Sequence, residues 1–108
     1  MVAAGVLPLY AASKHAVIGL TKAAALELGK SGVRANAVCP GSITGTDLYD
    51  AFAGRIDESF LNHLMGQYAL GRFGTPVEVA SAVPWLCSDG AGFVTGTYLD
   101  VNGGLTMR

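Results

Sequence analysis

Residues 33–41 read VRANAVCPG, and this stretch decides the fold. Residues 33–39 are mostly apolar and do not alternate strictly, a pattern typical of a strand that is buried on both faces. Pro40 and Gly41 then end the strand. Because such strands belong to parallel sheets that are covered by helices, the sequence predicts an α/β protein.

Before this strand, residues 9–30 predict one long amphipathic helix. The segment is rich in Ala, Leu, Lys and Glu, which favour helices. An apolar stripe recurs at helical spacing along it, at Val17, Leu20, Ala24 and Leu28.

After the strand, residues 75–104 predict a second helix and a second strand. Thr75 and Glu78 have the spacing of a capping box at the helix start. Pro84 is expected to kink this helix because it has no N–H to donate. The run GTYLDVNGG, residues 96–104, predicts a strand that ends in a glycine turn. Two strands joined through a helix form a βαβ unit, which favours a right-handed crossover and parallel pairing.

The segment between these elements, residues 42–74, is mixed and interrupted by glycines. A helical run, SFLNHLMGQYAL, lies within it at residues 59–70. So long a connection is typical of a lid or a binding segment. Residues 1–108 are therefore predicted to form a single domain, ordered helix, strand, long loop, helix, strand. This order fits one end of a larger doubly wound parallel sheet.

Composition and charge exclude several classes of protein. The chain has 108 residues, of which 51% are hydrophobic, so it is core-forming rather than disordered. Apolar faces are expected to be covered by a further part or by a partner chain. The net charge is −1 and there is no basic run, so a nucleic-acid partner is not expected. No apolar run approaches the roughly 20 residues that a membrane span needs.

Cysteine and carboxylate usage points to a cytoplasmic protein without a metal. Cys39 and Cys87 are far apart and form no CxxC motif, so both are expected to be reduced, buried thiols. Cys39 is expected to be inert strand core, since no adjacent base or cation activates it. Asp and Glu residues are spread singly, and no metal cluster is predicted.

The run YAASKHAVIGL, residues 10–20, places Tyr10 and Lys14 four positions apart at the start of the first helix. Side chains at this spacing are neighbours, with Cβ atoms about 5–6 Å apart. A phenol is a poor acid at neutral pH, but an ammonium beside it lowers the phenol pKa towards the range of efficient proton transfer. Taken alone, the pair fits equally an aromatic and a charge on the solvent side of a helix.

Four motifs in order carry a resemblance that covers essentially the whole chain. They are YxxxK, the strand end NAVCPG, the run GRFGTPVEVASAVPWLCS and the terminus GFVTGTYLDVNGG. Together they resemble the C-terminal part of the short-chain dehydrogenase/reductase family, which transfers a hydride between NAD(P)H and a carbonyl or alcohol. The resemblance implies a partial Rossmann-type fold, NAD or NADP as cofactor and a small-molecule carbonyl or alcohol substrate. It also implies a homo-oligomer, a dimer or tetramer, built partly on the first helix.

The resemblance also implies roles for individual residues. Tyr10 matches the proton donor and acceptor, and Lys14 matches the lysine that holds the nicotinamide ribose hydroxyls. Pro40 and Gly41 match the turn that brings backbone beside the nicotinamide. Ile43 would meet the carboxamide through its backbone N–H and C=O.

A threonine that bonds the cofactor phosphates follows this turn in the family. Thr44 and Thr46 stand on either side of the expected place, and Thr46 is favoured because Asp47 follows it. The resemblance further implies that the mobile substrate lid lies within residues 42–74, from residue 47 onwards.

Other parts of the family pattern are absent. The catalytic serine and the asparagine lie further before the tyrosine than this sequence extends, and the glycine-rich cofactor turn is missing. The run DGAGFVTG follows a helix and precedes a strand, which is the wrong context for a pyrophosphate turn. The chain is therefore expected to be a fragment that holds the acid/base half of the site, with impaired cofactor binding. The alternative hypothesis is a truncated, catalytically incompetent α/β module that oligomerises.

Overall fold

The computed structural model describes residues 8–105, which form a small parallel sheet with helices around it. The elements are α1 (Pro8–Leu28), a 3-10 turn (Gly29–Ser31), β1 (Ala37–Pro40), α2 (Asp47–Ala53), α3 (Glu58–Met65), α4 (Pro76–Ala80), α5 (Ala82–Cys87), a second 3-10 turn (Asp89–Ala91) and β2 (Tyr98–Val101). The predicted α/β class and the predicted order of elements are confirmed.

The two strands pair in parallel, as predicted. The register runs from Ala37 opposite Tyr98 to Pro40 opposite Val101. The Gly41 N–H then donates to the Val101 carbonyl at 3.1 Å, one residue past the end of β1. The Pro–Gly bend therefore lies at the carboxyl ends of both strands, the edge at which open α/β sheets bind ligands.

The predicted strand over residues 33–39 is wrong in length and in burial. β1 begins only at Ala37, and its residues are half-buried or exposed rather than buried on both faces. Upstream of β1, Arg34 Nη1 and Asn36 Nδ2 donate to the Val94 carbonyl at 3.0 and 2.9 Å. These side-chain bonds, together with a backbone bond from the Gly96 N–H to the Ala35 carbonyl at 2.7 Å, join this stretch to the segment before β2.

The first helix is confirmed, but its apolar stripe is not buried. Val17, Leu20 and Leu28 are 54%, 71% and 41% exposed, and Ala25 is the buried residue of α1. Among residues 8–105, the buried apolar side chains are Ala25, Tyr68, Phe73, Leu86 and Ala91. The core is small for so apolar a chain, and large apolar surfaces are left uncovered.

The helix predicted after residue 75 corresponds to α4 and α5, and it begins at its predicted cap, Thr75. The Glu78 N–H donates to the Thr75 hydroxyl, and the Thr75 N–H donates to the Glu78 carboxylate at 2.9 Å, which completes the capping box. At Ser81 the helix divides into α4 and α5. The helix is thus interrupted one turn before Pro84, where a kink was predicted because Pro84 has no N–H to donate to the Ala80 carbonyl.

Residues 42–74 contain two short helices. Thr46 caps α2 and Asp57 caps α3, each by accepting a backbone N–H with its side chain. The helical run predicted for residues 59–70 is correct as far as Met65 and wrong beyond it, because Gly66 ends α3. Within residues 8–105, no helix is both long enough and apolar enough to cross a bilayer.

Arg72 and Glu78 form a two-pronged ion pair on the surface, with N–O distances of 2.9 and 2.6 Å. The hydrogen bonds from Arg72 and then from the Thr75 N–H lower the pKa of the Glu78 carboxyl to about 2, from an ordinary value of 4.5. Because the pKa is lowered in the folded state, the resulting stability is complete above about pH 4.5 and is lost as the pH falls towards 2. We expect Glu78→Gln to flatten the decline in the free energy of unfolding across this interval, measured by urea denaturation.

Glu27→Gln is the control for this prediction. Glu27 is exposed on α1 and forms no ion pair with any part of the chain that the structure describes. In Glu27→Gln, the free energy of unfolding should depend on pH as it does in the unaltered chain. An equal flattening in both variants would contradict the role of the Arg72–Glu78 pair.

Candidate functional site

Tyr10 and Lys14 lie next to each other near the start of α1. The Lys14 ammonium is 5.3 Å from the centroid of the Tyr10 ring, within the range of a cation–π contact. Tyr10 is 51% exposed and Lys14 is also exposed, so both functional groups can be reached from solvent. The structure thus brings the phenol and the ammonium together, as their spacing predicts.

A cavity of about 150 Å³ lies beside the Pro–Gly bend. Its wall includes Gly41, Ser42, Ile43, Tyr68, Asn102 and Gly103. Neither Tyr10 nor Lys14 lines this cavity. The structure therefore presents two groups of residues, the pair on α1 and the bend at the carboxyl ends of the strands.

The bend is closely packed at Gly41. A Cβ atom there would lie 3.0 Å from Cε1 of Tyr68 and 3.1 Å from the Cα of Asn102. These contacts are tight, so a side chain at residue 41 would require the Tyr68 ring or the Asn102 backbone to shift by a few tenths of an ångström. Pro40, the residue before it, is exposed at the end of β1.

Ile43 is held in an isolated bridge to Gly74. The Gly74 N–H donates to the Ser42 carbonyl at 3.0 Å, and the Thr44 N–H donates to the Gly74 carbonyl at 2.9 Å. Both bonds involve backbone groups of Ser42, Thr44 and Gly74. The N–H and the carbonyl of Ile43 itself point away from Gly74. Its carbonyl accepts from the Thr46 hydroxyl at 3.1 Å, while its N–H has no hydrogen-bond partner in the described part of the chain.

The two candidate threonines use their hydroxyl protons inside the chain. Thr46 Oγ1 donates to the Ile43 carbonyl and accepts from the Tyr49 N–H, both at 3.1 Å. Thr44 Oγ1 donates to the Gly74 carbonyl at 3.2 Å. A threonine hydroxyl has only one proton to donate, and a phosphate oxygen can only accept a hydrogen bond. Whichever threonine contacts a phosphate, its hydroxyl must first rotate away from the carbonyl that it now bonds.

Tyr68 is a residue of this region that the sequence reasoning missed, because it was assigned to a helical run. It is 5% exposed, and its hydroxyl accepts from the Ser42 N–H at 2.9 Å. Its ring meets Phe73 edge-to-face at 5.3 Å, and Phe73 in turn meets Tyr49 at 5.8 Å. The glycines on either side of Tyr68 were the available signal that the helix had ended.

Cys39 lies opposite Asp100 in the sheet register. Burial, and then the negative charge of Asp100, raise the pKa of the Cys39 thiol above its ordinary value. The thiol therefore stays protonated at neutral pH, which agrees with its expected inert role, although it is half-buried rather than core. The expected burial of Cys87 is wrong, because this residue is exposed at the end of α5.

The glycine run at residues 89–96 lies between α5 and β2. A pyrophosphate-binding turn needs a strand before it and a helix after it, so this run does not supply one. No group of three potential metal ligands occurs in residues 8–105.

Comparison with known proteins gives consistent matches. A family model described as enoyl-(acyl carrier protein) reductase matches residues 1–106. A (3R)-3-hydroxyacyl-CoA dehydrogenase from Canis lupus familiaris is 43% identical over 98 residues, which are 91% of this chain and 36% of that protein. An A-factor type gamma-butyrolactone 1'-reductase from Streptomyces virginiae is 44% identical over 107 residues, which are 99% of this chain and 41% of that protein.

A solved structure matches as well. A 4-hydroxyisoleucine dehydrogenase mutant complexed with NADH and succinate aligns with a TM-score of 0.83 and 36% identity. The alignment covers 92% of this chain and 40% of the dehydrogenase. The chain thus spans less than half the length of each of these relatives.

Proposed function

Because this chain belongs to the short-chain dehydrogenase/reductase family, with a partial Rossmann-type fold, we propose that it carries the acid/base half of an NAD(P)-dependent reductase site. Tyr10 is the acid/base group and Lys14 is its electrostatic partner. The observation that carries the proposal is the contact between the Lys14 ammonium and the Tyr10 ring, 5.3 Å apart on an exposed face of α1.

The proposed reaction is the reversible reduction of a carbonyl to an alcohol. A bound nicotinamide cofactor supplies the hydride that adds to the carbonyl carbon. Tyr10 Oη gives its proton to the carbonyl oxygen, and in the reverse direction it takes that proton back. Lys14 binds the ribose hydroxyls, and its positive charge stabilises the phenolate that the transfer leaves.

The bend fits the nicotinamide end of a cofactor. The Ile43 N–H, which is free within residues 8–105, is a donor for the carboxamide oxygen, and Pro40 is exposed nearby at the end of β1. The related dehydrogenase solved with NADH supports a nicotinamide cofactor. Thr46 is proposed for the phosphates, on condition that its hydroxyl rotates away from the Ile43 carbonyl.

Residues 42–74 are proposed as the substrate lid. Their two ends are tied together by the bridge between Ile43 and Gly74, so α2 and α3 sit on a closed loop. A loop tied at its base can move as a unit while its ends stay in place at the bend. The substrate is proposed to be a small-molecule carbonyl or alcohol.

We also propose that the protein forms a homo-oligomer through α1 and works in the cytoplasm. Leu9 and Leu26 on α1 are each 86% exposed, and exposed apolar patches of this kind mark association surfaces. Cys39 and Cys87 are both free thiols, which suits a reducing compartment.

A second candidate is an oligomerising module without catalytic activity. One observation favours it, namely that the cavity beside the bend contains neither Tyr10 nor Lys14. The two candidates differ in whether the chain binds a nicotinamide cofactor.

Titration with NADH and NADPH, followed by fluorescence, tests the enzyme proposal. We expect saturable binding, with a Kd that rises at least about tenfold in Lys14→Ala, because a charged donor to the ribose is lost. Lys22→Ala is the matched control, since Lys22 lies on the same helix and its ammonium is 5.8 Å from the Tyr98 ring. A chain that binds neither cofactor at millimolar concentration would contradict the enzyme proposal and favour the module.

A further inference from the structure

The hydroxyl of Tyr68 contacts the backbone immediately after the Pro–Gly bend. It accepts the Ser42 N–H at 2.9 Å, and Tyr68 is 5% exposed. Ser42 stands between Gly41 and Ile43, the residue whose N–H is free in the described chain. A buried phenol from the lid segment therefore contacts the backbone beside a free donor.

The ring of Tyr68 is confined on several sides. A Cβ atom at Gly41 would lie 3.0 Å from Cε1 of the ring, and a Cβ atom at Gly103 would lie 3.3 Å from Cδ1. Phe73 packs edge-to-face against the ring at 5.3 Å. A ring confined in this way holds its hydroxyl at a fixed place relative to the bend.

Ser42 is fixed through both of its backbone groups. Its N–H is held by Tyr68, and its carbonyl accepts the Gly74 N–H at 3.0 Å. The Ser42 carbonyl and the Ile43 N–H belong to one planar trans peptide and point in opposite directions. Fixing the Ser42 carbonyl on Gly74 therefore directs the Ile43 N–H away from Gly74.

We propose that Tyr68 is a positioning residue for the cofactor, whose hydroxyl holds the Ser42 amide so that the Ile43 N–H is presented to the nicotinamide carboxamide. This inference rests on the proposed function. Because Tyr68 belongs to residues 42–74, it also couples the lid to the bend. The hydrogen bond between Tyr68 and Ser42 then links lid movement to cofactor affinity.

A purely structural role makes a different prediction for Tyr68. If packing alone mattered, the ring would suffice and phenylalanine would replace tyrosine without effect. Tyr68→Phe keeps the ring and removes only the acceptor of the Ser42 N–H. The variant therefore separates positioning from packing.

The experiment compares the unaltered chain, Tyr68→Phe and the control Tyr98→Phe. Tyr98 pairs with Ala37, at the opposite end of the two strands from the bend. In Tyr68→Phe we expect Kd and KM for the nicotinamide cofactor to rise about fivefold, while kcat stays within twofold. Amide hydrogen exchange at Ser42, measured without cofactor, should become faster in this variant alone. The thermal unfolding midpoint should fall by no more than about 8 °C.

Each of the other outcomes contradicts a specific part of the proposal. Unchanged cofactor affinity, or unchanged exchange at Ser42, in Tyr68→Phe overturns the positioning role and leaves the proposed function standing. A larger fall in the unfolding midpoint shows that the hydroxyl stabilises the whole fold, which overturns a role confined to the bend. Failure of the unaltered chain to bind cofactor overturns the proposed function, and the role of Tyr68 falls with it.

Discussion

Replacing Tyr10 with phenylalanine is expected to abolish carbonyl reduction while leaving the fold unchanged. The substitution removes the proton that the carbonyl oxygen must receive, and a positioned general acid contributes about 10²–10⁴-fold to a rate. The ring is kept, so its contact with the Lys14 ammonium persists, and a side chain that is 51% exposed contributes little to the core. The measurement is cofactor oxidation in the presence of a carbonyl substrate, with circular dichroism to follow the fold.

The control for this substitution is Tyr98→Phe. Tyr98 also lies beneath a lysine of α1, at 5.8 Å from the Lys22 ammonium, but it belongs to β2. The Tyr98→Phe variant should retain the turnover of the unaltered chain. Full turnover in Tyr10→Phe would rule out Tyr10 as the acid, whatever the other residues do.

Replacing Phe73 with alanine is expected to lower the free energy of unfolding by about 3–5 kcal/mol. Phe73 is 6% exposed, and its ring packs against Tyr68 and Tyr49. Removing the ring leaves a cavity between α2 and the segment after α3 in a chain whose core is already small. Stability of folded domains is only about 5–15 kcal/mol, so urea denaturation should show a large shift in the midpoint.

Phe93→Ala is the matched control for the cavity. Phe93 is fully exposed, so the same truncation should change the free energy of unfolding by no more than about 0.5 kcal/mol. Equal losses in the two variants would show that the aromatic cluster around Phe73 is not a packed core in solution.

Local features of the fold were predictable from the sequence. The capping box of Thr75 and Glu78 depends on residues three apart, and the contact of Tyr10 with Lys14 depends on residues four apart. Such short separations are fixed once the helix forms, so spacing alone determines them. The same holds for the break before Pro84, which follows from a missing N–H.

Features that depend on distant parts of the chain were not predictable. Just before β1, Arg34 and Asn36 bond to Val94, about 60 positions later. The position of Tyr68 against the bend likewise depends on a partner 26 positions earlier. No periodicity within one segment encodes these contacts.

Burial of the first helix shows the same limit. The periodicity of Leu20 and its neighbours correctly identified a helix, but periodicity says which face is apolar and not what covers it. The structure leaves that face open. The roles of Pro40, Gly41, Ile43 and Thr46 remain predictions for the same reason, since they concern a ligand rather than the chain itself.

The parallel pairing of β1 with β2 has a consequence for the rate of folding. Its partners are separated by four helices, and the hydrogen bond from Thr97 to Asn36 joins residues 61 apart. Closing so large a loop costs entropy before any ladder bond is gained, and proteins with such non-local contacts fold slowly. We therefore expect formation of the β1–β2 ladder to be a slow step in folding.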